Sequence, residues 1–514
     1  MRFPRQFPSM ILFGAVVILV GCARLQQAPP TRQQAALPVV KTWQAGGETE
    51  PRLVDDGWLS NFQDQSLSQL VEEALQNNRD LQGSAARVAE AEASALKAGA
   101  NLLPTVDLTT ESAGSGAFNS TGGQRKFNLG LQVSWEVDLW GRLRSEKRAE
   151  ALDAIAVAAD FQYGRQSIAA LVGESWFVTV GNKLQLDLDK EILAIERQAQ
   201  EVVRKRVDAG AVSRVDLLVA RADVARAQDN VARNLGSLDE AVRSLEVLLG
   251  RYPAAELNIA DRLTPMPGPV PAGLPSELLE RRPDIVARDR EVAAAFNRTQ
   301  AARAARLPRL SLTSAVGMTS SSFRDILNPK AAAWSLGTNL LAPIFDGGKL
   351  RADVAIRTAQ QKQALAKYAG TALKAFQEVE TALTNERILQ VREKKLAVVV
   401  DELAEALRIT ELRYKVGEID FLSLNQVKKR YFGARSDLLK VQVERLKQRV
   451  NLHLALGGSF DTQPAAPKPN TSPATVIADE DSRTVKGDNG WLFEITSRIK
   501  RFFGLLPESS SLEK

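Results

Sequence analysis

The sequence is almost without cysteine and histidine: Cys22 and His453 are the only examples in 514 residues. An internal disulfide needs two cysteines, and a Cys/His metal site needs several such ligands, so both are excluded. Ser-His and Cys-His catalytic pairs lack their histidine, and the Gly-Gly pairs at 122–123 and 347–348 lie at predicted strand ends, not in a nucleotide-binding strand–loop–helix pattern. The sequence therefore predicts no enzyme, no metal site and no bound cofactor.

Long apolar runs are also missing. No run of eighteen apolar residues follows the N-terminal leader, which excludes membrane-spanning helices but not strands of a closed barrel, whose lipid-facing residues alternate with polar ones. The formal charge is a mild +6, and basic residues alternate with acidic residues along the predicted helix faces. This pattern is typical of a solvated surface, and no nucleic-acid partner is predicted.

The N-terminus predicts a lipoprotein signal. Two arginines precede an apolar core over 10–20, too short to span a bilayer, and the core ends at Leu-Val-Gly-Cys22. This ending resembles the lipobox of bacterial lipoproteins, whose cysteine is lipidated, and Ala23 after it suggests the outer membrane. We expect residues 1–21 to be removed, Cys22 to carry covalent lipid and residues 22–57 to form an extended tether. The alternative is an ordinary signal peptide with a chance cysteine.

The rest of the chain contains a long internal repeat. Residues 75–108 and 279–312 match at a constant shift of 204, and each copy reads as an alanine-rich helix that stops at a proline and continues as an alternating strand. The shift then becomes 207, which pairs Gly210 with Gly417 and Leu249-Gly250 with Leu456-Gly457. A repeat of this length predicts two units of one architecture.

The repeat sets the domain boundaries. Residues 58–250 form the first unit, residues 251–275 form an equatorial connection, and residues 276–457 form the second unit. Residues 458–514 combine a Pro-rich linker with a short amphipathic segment, which could pack on the protein itself, touch a membrane or bind a partner.

Each unit predicts two strands and long helices. The helical segments are 66–101, 142–209 and 214–250 in the first unit and 276–306, 349–415 and 420–456 in the second. The two shorter helices of each unit sum to about the length of the long one, roughly 100 Å at 1.5 Å per residue, so we expect them to lie end to end beside it. The recurrence of Leu217, Val224, Val231, Leu238 and Leu245 every seven residues predicts coiled-coil packing.

The strand around residues 127–139 alternates strictly, with seven apolar residues separated by polar ones. This length favours a membrane barrel strand, although an amphipathic hairpin on a soluble core is the alternative. The second unit adds strands at 308–317 and 333–345. Because a barrel needs about eight strands, the four strands of one chain predict that at least two chains share a barrel.

Four motifs and the repeat together resemble one family. The motifs are Trp58-x3-Phe62-x-Asp64, Arg281-Arg-Pro-Asp284, Leu307-Pro-Arg-Leu-Ser-Leu312 and Phe345-Asp-Gly-Gly348. With these motifs and the repeat, the chain is similar over about residues 58–457 to the TolC-like outer-membrane efflux factors, in the NodT-type lipoprotein branch.

The resemblance implies a mainly α protein with a membrane β-barrel, in which a homotrimer forms a twelve-stranded barrel over a periplasmic α-helical barrel closed at its tip. It also implies a periplasmic membrane-fusion adaptor and an inner-membrane efflux pump as partners, beside outer-membrane lipid. The expected location is the outer membrane of a Gram-negative bacterium, with a large periplasmic part.

The resemblance also assigns the tip. The family's tip turns match Val207-Asp-Ala-Gly210 and Tyr414-Lys-Val-Gly417. Family residues after the second turn line the constriction and often include aspartates, but the aligned residues here are Ser423 and Gln426. The other gate candidates are Asp216, Tyr414, Asp420 and Lys429. The alternative reading is that the charged ones only cap helix starts.

Three functions remain open at this point. The first is a duct that carries drugs or other small toxic molecules from the periplasm to the exterior. The second is the same duct used for protein secretion or metal-ion efflux. The third is a periplasmic coiled-coil adaptor without a channel, which would not require two alternating hairpins flanked by long helices.

Overall fold

The computed structural model describes residues 35, 42–45, 56–115 and 124–460. The predicted signal peptide, Cys22, most of the predicted tether and the amphipathic C-terminal segment lie outside these residues.

The first unit contains five helices and two strands among the described residues. They are α1 (Trp58–Asn61), α2 (Gln65–Asn77), α3 (Arg79–Ala100), β1 (Thr105–Ser115), β2 (Gln124–Val137), α4 (Arg142–Asp208) and α5 (Arg214–Leu248). The long helix α4 contains no proline, and the alanine-rich α3 ends shortly before Pro104, which cannot continue a helix.

The second unit repeats this order from α2 onward. Its elements are α6 (Pro275–Arg281), α7 (Pro283–Ala304), β3 (Arg309–Ser320), β4 (Ala332–Leu341), α8 (Lys349–Lys415) and α9 (Phe421–Ala455), with two short 3-10 turns between β3 and β4. The two long helices α4 and α8 each have 67 residues, about 100 Å. The internal repeat is therefore structural.

The helices predicted over 66–101 and 276–306 are each two helices, which corrects the sequence interpretation. The first breaks at Asn78, whose backbone is extended and whose side chain accepts hydrogen bonds from the N–H groups of Asp80 and Leu81. The second breaks at Arg282, because a residue before proline is disfavoured in the helical region. Asn78 and Arg282 occupy equivalent positions of the repeat, so both units bend at the same level.

The strand predicted over 333–345 is also shorter than expected. It ends at Leu341, and Pro343, which has no N–H group to donate, follows two residues later. Ile344 and Phe345 are both 93% exposed beyond the strand.

The four strands form one antiparallel sheet in the order β1-β2-β3-β4. In this register Leu108 lies opposite Leu131, and Leu131 lies opposite Val316, so one face of the sheet is apolar. The other face is polar, with Asn128 beside Glu111 and Thr319. Strands β1 and β4 are the open edges of the sheet in a single chain.

None of the described helices combines the length and the apolar character that a membrane span requires.

The helices pack as a row of four on either side of the bend. Between the sheet and the bend the order is α3, α4, α7, α8, and between the bend and the tip it is α5, α4, α9, α8. One edge of the row is always α8, and the other is α3 or α5. These edges continue the sheet edges β4 and β1.

The bend, which we call the equator, joins the helix ends of each unit. The Asn78 side chain donates to the carbonyl of Leu248 at 2.9 Å, and Arg282 donates to the carbonyl of Ala455 at 3.3 Å. Arg282 also bonds Asp284 at 2.8 Å and Glu378 at 2.6 Å. The repeat thus satisfies the last carbonyls of α5 and α9 in the same way, once with an amide and once with a guanidinium.

A buried aromatic cluster fills the equator. Trp58, Phe62, Trp176 and Phe177 are all at most 2% exposed, and Trp176 donates from its indole nitrogen to Asp64 at 2.9 Å. His453 stacks on Trp58 with ring centroids 5.7 Å apart. The tryptophan and phenylalanine of the first motif are therefore core residues, and its aspartate bonds the buried Trp176.

We expect His453 to make stability depend on pH. Burial, together with the charge of Arg449, lowers the pKa of His453 from its ordinary value of 6.5 to about 3. The unfolded chain binds a proton here below pH 6.5 and the folded chain does not, so stability falls as the pH falls from about 6.5 to about 3. Between pH 7.5 and 5.0 the loss is about 2 kcal/mol, at about 1.4 kcal/mol per pH unit.

His453→Leu removes this titration. Urea denaturation at both pH values should show the wild type losing about 2 kcal/mol more than the variant. Equal losses would contradict the assignment of this pH dependence to His453.

Candidate functional site at the helical tip

Two helical hairpins end at the tip in turns of the same form. Gly210 has φ 70° and Gly417 has φ 81°, a region that residues with a Cβ rarely adopt. In each turn, two backbone N–H groups donate hydrogen bonds back to the last carbonyls of the helix. One of the two is the N–H of the glycine: Gly210 donates to the carbonyl of Val207 at 2.9 Å, and Gly417 donates to the carbonyl of Tyr414 at 3.1 Å. The turns are Schellman motifs, with a glycine at the left-handed position of each; that they form the tip of an assembled duct stays a prediction.

The helices that leave the turns begin with capping residues. Asp216 accepts a hydrogen bond from the N–H of Ser213 at 3.2 Å in a capping box, and Asp420 accepts one from the N–H of Ser423 at 2.8 Å. Hydrogen bonds from the hydroxyl and the N–H of Ser423 lower the pKa of Asp420, which keeps it ionised. Both aspartates stabilise helix starts, as the alternative reading expected; a role in a constriction stays a prediction.

Tyr414 belongs to a small apolar cluster that joins the two hairpins. Its ring lies 4.5 Å from the guanidinium carbon of Arg206 and 6.2 Å from the ring of Phe421. The cluster also contains the buried side chains Val203, Ala220 and Leu424. Tyr414 is 8% exposed, so within one chain its aromatic ring acts as a packing and cation-π group.

Above this cluster a polar seam joins α9 to α4 and α5. Glu196 and Lys428 form an ion pair at 3.3 Å, and each side chain is only 6% exposed. Asp223, also buried, accepts from the Asn425 amide at 2.6 Å and from Lys429 at 2.7 Å. Since buried charges are costly unless paired, these contacts hold α9 in a specific position on the first hairpin.

From the tip toward the equator, the polar contact between α9 and α4 continues for some distance and then becomes apolar. Arg435 on α9 bonds both carboxylate oxygens of Glu191 at 2.8 and 3.0 Å. Closer to the equator, a Cβ atom on Gly181 would lie only 2.6 Å from the Val443 side chain, so there is no room for a larger residue. The helix is thus packed tightly against α4 near the equator and held by polar contacts toward the tip.

The predicted gate residues are spread over this region. Lys429 is brought to Asp223, whereas Ser423 and Gln426 lie exposed on the first turns of α9. Sequence reasoning missed Glu196, Asp223 and Lys428. A signal was present, because Asp223 interrupts the stripe Ala220, Val224, Ala227 and Lys428 lies between Leu424 and Phe432 at helical spacing, where an apolar residue is normal.

Comparison with known proteins covers both units. The family model described as "Outer membrane efflux protein" matches residues 70–251 and 274–458. The cation efflux system protein CusC of Escherichia coli O6:H1 is 29% identical, over 88% of this chain and 99% of that protein. The pyoverdine export outer membrane protein OpmQ of Pseudomonas putida is also 29% identical, over 90% of this chain and 98% of that protein. The solved structure of the outer-membrane channel OprN superposes with a TM-score of 0.78 at 27% identity, over 84% of this chain and 99% of that one.

Proposed function

Because the chain belongs to the outer membrane efflux protein family, we propose that three copies form one duct that conducts a pump's substrates from the periplasm to the exterior. The protein is an outer-membrane efflux channel component, and its fold is that of the outer-membrane channels. One observation supports the trimer: in the sheet and in both rows of helices, the same two edges of the chain have no neighbouring element among the described residues.

The first edge, helix α8, exposes apolar side chains that have no partner within the described part of one chain. Between Ala382 and Tyr414 no side chain of α8 is buried. The apolar residues Val391, Val398 and Leu412 are each more than half exposed, and Val391 and Val398 are seven residues apart. A heptad spacing of exposed apolar residues is typical of a helix that packs against another helix.

The opposite edge offers a complementary surface. On α5, Val215 is 63% exposed, Leu218 is 54% exposed and Leu235 is 49% exposed. When α8 of one copy meets α5 of the next, both sets of side chains leave water. Such a head-to-tail contact closes into a ring when the rotation between copies is a simple fraction of a turn.

The sheet follows the same rule. Exposed strand edges pair readily with another chain, so β4 of one copy and β1 of the next would join. Three copies give a closed barrel of twelve strands, which exceeds the roughly eight strands needed to enclose a lumen. The apolar face of the sheet then contacts outer-membrane lipid.

We propose that the cargo is set by the pump and not by this chain. CusC and OpmQ are equally similar to it, yet one is named for cation efflux and the other for pyoverdine export. The proposed cargo is small toxic molecules such as drugs, with metal ions as the second candidate because of CusC. The proposed partners are a periplasmic membrane-fusion adaptor and an inner-membrane pump, and lipid on Cys22 would anchor each copy. A protein of this kind needs no catalytic site.

Conductance in planar bilayers tests the duct and its tip together. We expect the full-length wild type to form channels. Divalent cations added on the tip side should hardly block them, because Ser423 and Gln426 supply no carboxylate there. Gln426→Asp would place three carboxylates around the axis of the trimer. We expect this variant to be blocked by divalent cations and the block to be relieved at acid pH.

Gln426→Asn is the matched control, since it shortens the side chain as aspartate does but adds no charge. Strong block of the wild type that is lost in Gln426→Ala would contradict the assignment of these positions. Absence of any channel would contradict the proposed duct.

A further inference from the structure

The end of the sheet next to the helices, which we call the inner end, has arginines that are neutralised within the chain. Arg142 bonds Glu136 at 2.9 Å, and Arg144 bonds Asp138 at 3.1 Å. Asp138 also accepts a hydrogen bond from the N–H of Leu143 at 3.1 Å. Because carboxylates of the same chain compensate these positive charges, the inner end has little attraction for an external anion.

The opposite end of the sheet, which we call the outer end, is basic and almost without carboxylates. Residues 112–135 contain no aspartate or glutamate, and residues 310–345 contain only Asp325. Glu111, the nearest carboxylate of β1, bonds Asn128 on the polar face at 2.9 Å. The basic residues of the outer end, all exposed, are Arg125, Lys126, Arg324 and Lys330. Within the part of the chain that the structure describes, none of these four forms an ion pair with a carboxylate.

Arg125 continues the apolar face of the sheet beyond its last aromatic residue. Alternate residues of β2 share a face, so the register places Arg125 on the same face as Phe127 and Leu131. Lys126, at the same level, belongs to the polar face with Asn128. The two neighbouring cations are therefore separated by the sheet, and only Arg125 lies on the face that we assign to lipid.

An aromatic pair marks the outer limit of the apolar face. Phe323, in the connection between β3 and β4, packs edge to face on Phe127 with ring centroids 5.8 Å apart. Phe323 is still 72% exposed, and Arg324 follows it directly in the chain. The connection thus reaches the apolar face, and Arg125 and Arg324 flank an aromatic pair that belongs to this face.

The height of the apolar face places these arginines at the headgroups. From Phe127 to Val137 there are ten steps of about 3.3 Å, or about 33 Å along the strand. At a barrel tilt of about 40° this becomes about 25 Å, which is the height of the apolar band of outer-membrane barrels. Since the helices lie on the periplasmic side, Arg125 lies beyond the band on the exterior side.

We propose that Arg125 and Arg324 form a binding surface for the phosphate groups of the phosphorylated glycolipid in the outer leaflet. We call these two residues the phosphate surface. Guanidinium groups bind phosphate oxygens in a bidentate manner, and the surrounding sequence supplies almost no carboxylate to compete. The inference rests on the proposed function, because it needs the sheet to stand in the outer membrane. It assigns the two ends of the sheet to different leaflets.

Binding of lipid A to the full-length protein in detergent tests the phosphate surface. The probe is lipid A that carries both phosphates, and native mass spectrometry measures how much of it the assembled protein binds. We expect Arg125→Gln with Arg324→Gln to weaken binding about tenfold or more, because two charge-assisted contacts per chain are lost. Arg125→Lys with Arg324→Lys keeps the charge without the bidentate geometry, so its affinity should lie between the two.

Lys126→Gln is the matched control. It removes one positive charge at the level of Arg125, but from the polar face of the sheet. Because a charge across the sheet is screened by the solution in the lumen, we expect its affinity to stay within about threefold of the wild type. Migration of unheated samples in gels shows that each variant still assembles. Equal binding of lipid A by the wild type and the double glutamine variant would overturn the phosphate surface.

Two further lipids identify the chemistry of the ligand. Lipid A without its phosphates should bind to the wild type as weakly as intact lipid A binds to the double glutamine variant. Phosphatidylglycerol, an anionic phospholipid, should bind more weakly than lipid A. Equal binding of lipid A with and without phosphates would show that the contact is only apolar and would overturn the proposal. Phosphatidylglycerol bound as tightly as lipid A would overturn the assignment to the outer-leaflet glycolipid.

Conductance separates this inference from the proposed duct. A wild-type protein that forms no channel in planar bilayers would refute the duct. The comparison of lipid A binding between the wild type and the double glutamine variant would still decide the phosphate surface.

Discussion

Val391→Asp combined with Val398→Asp is expected to abolish the trimer and with it all efflux through the protein. Both side chains are more than half exposed on α8 in a single chain, at 53% and 56%, so the fold of the monomer loses little. In the assembled ring they would face α5 of the next copy. An unpaired carboxylate buried in an apolar contact costs several kcal/mol, and the ring contains three such contacts with two carboxylates each.

Mass measurement of detergent-solubilised protein checks the effect. The wild type should have three times the mass of the chain, and the double variant should be a monomer with unchanged helix content by circular dichroism. Gln390→Asp is the matched control, because it places a carboxylate beside Val391 but about 100° around the helix. A stable trimer of the double variant would show that α8 is not an edge of the assembly.

Lys428→Met is expected to destabilise the protein by about 3–5 kcal/mol, because it leaves the buried Glu196 carboxylate without its partner. Glu196→Leu with Lys428→Met should recover most of this loss, since an apolar pair of similar volume often replaces a buried ion pair without cost. The single variant should also open more readily at the tip, because the pair joins α9 to the first hairpin.

Denaturation midpoints of the two single variants and the double variant form a double-mutant cycle that isolates the pair. Single-channel conductance measures the opening of the tip. Lys429→Met is a useful comparison. Lys429 is half exposed, and its removal leaves Asp223 bonded to Asn425, so we expect a smaller loss of stability. A Lys428→Met protein as stable and as closed as the wild type would contradict a role of this pair in holding α9.

The two buried pairs also explain why the tip prediction was incomplete. Sequence reasoning placed the turns at Gly210 and Gly417, because a glycine after a helix and a capping residue before the next one are local signals. It then searched for charge on the residues just after the second turn. The structure places the buried charges one to four turns higher, where they meet across two hairpins.

The sequence by itself determined the duplication, the long helices, the tip turns and the alternation of the strands. Each of these follows from spacing within a short window, because helices repeat every 3.6 residues and strands every two. The bends at Asn78 and Arg282, although each has a local cause, were read as continuous helix, because alanine-rich periodicity continues across them.

Only the tertiary structure decided which residues share a contact. Asp223 and Asn425 are 202 positions apart, and Gln44 and Glu380 are 336 apart, so no local pattern links them. It also decided which faces stay open, since α5 and α8 expose apolar residues that the order of the helix row leaves without a neighbour. The physical reason is that periodicity specifies which side of a helix is apolar, whereas the partner of that side depends on the packing of the whole chain.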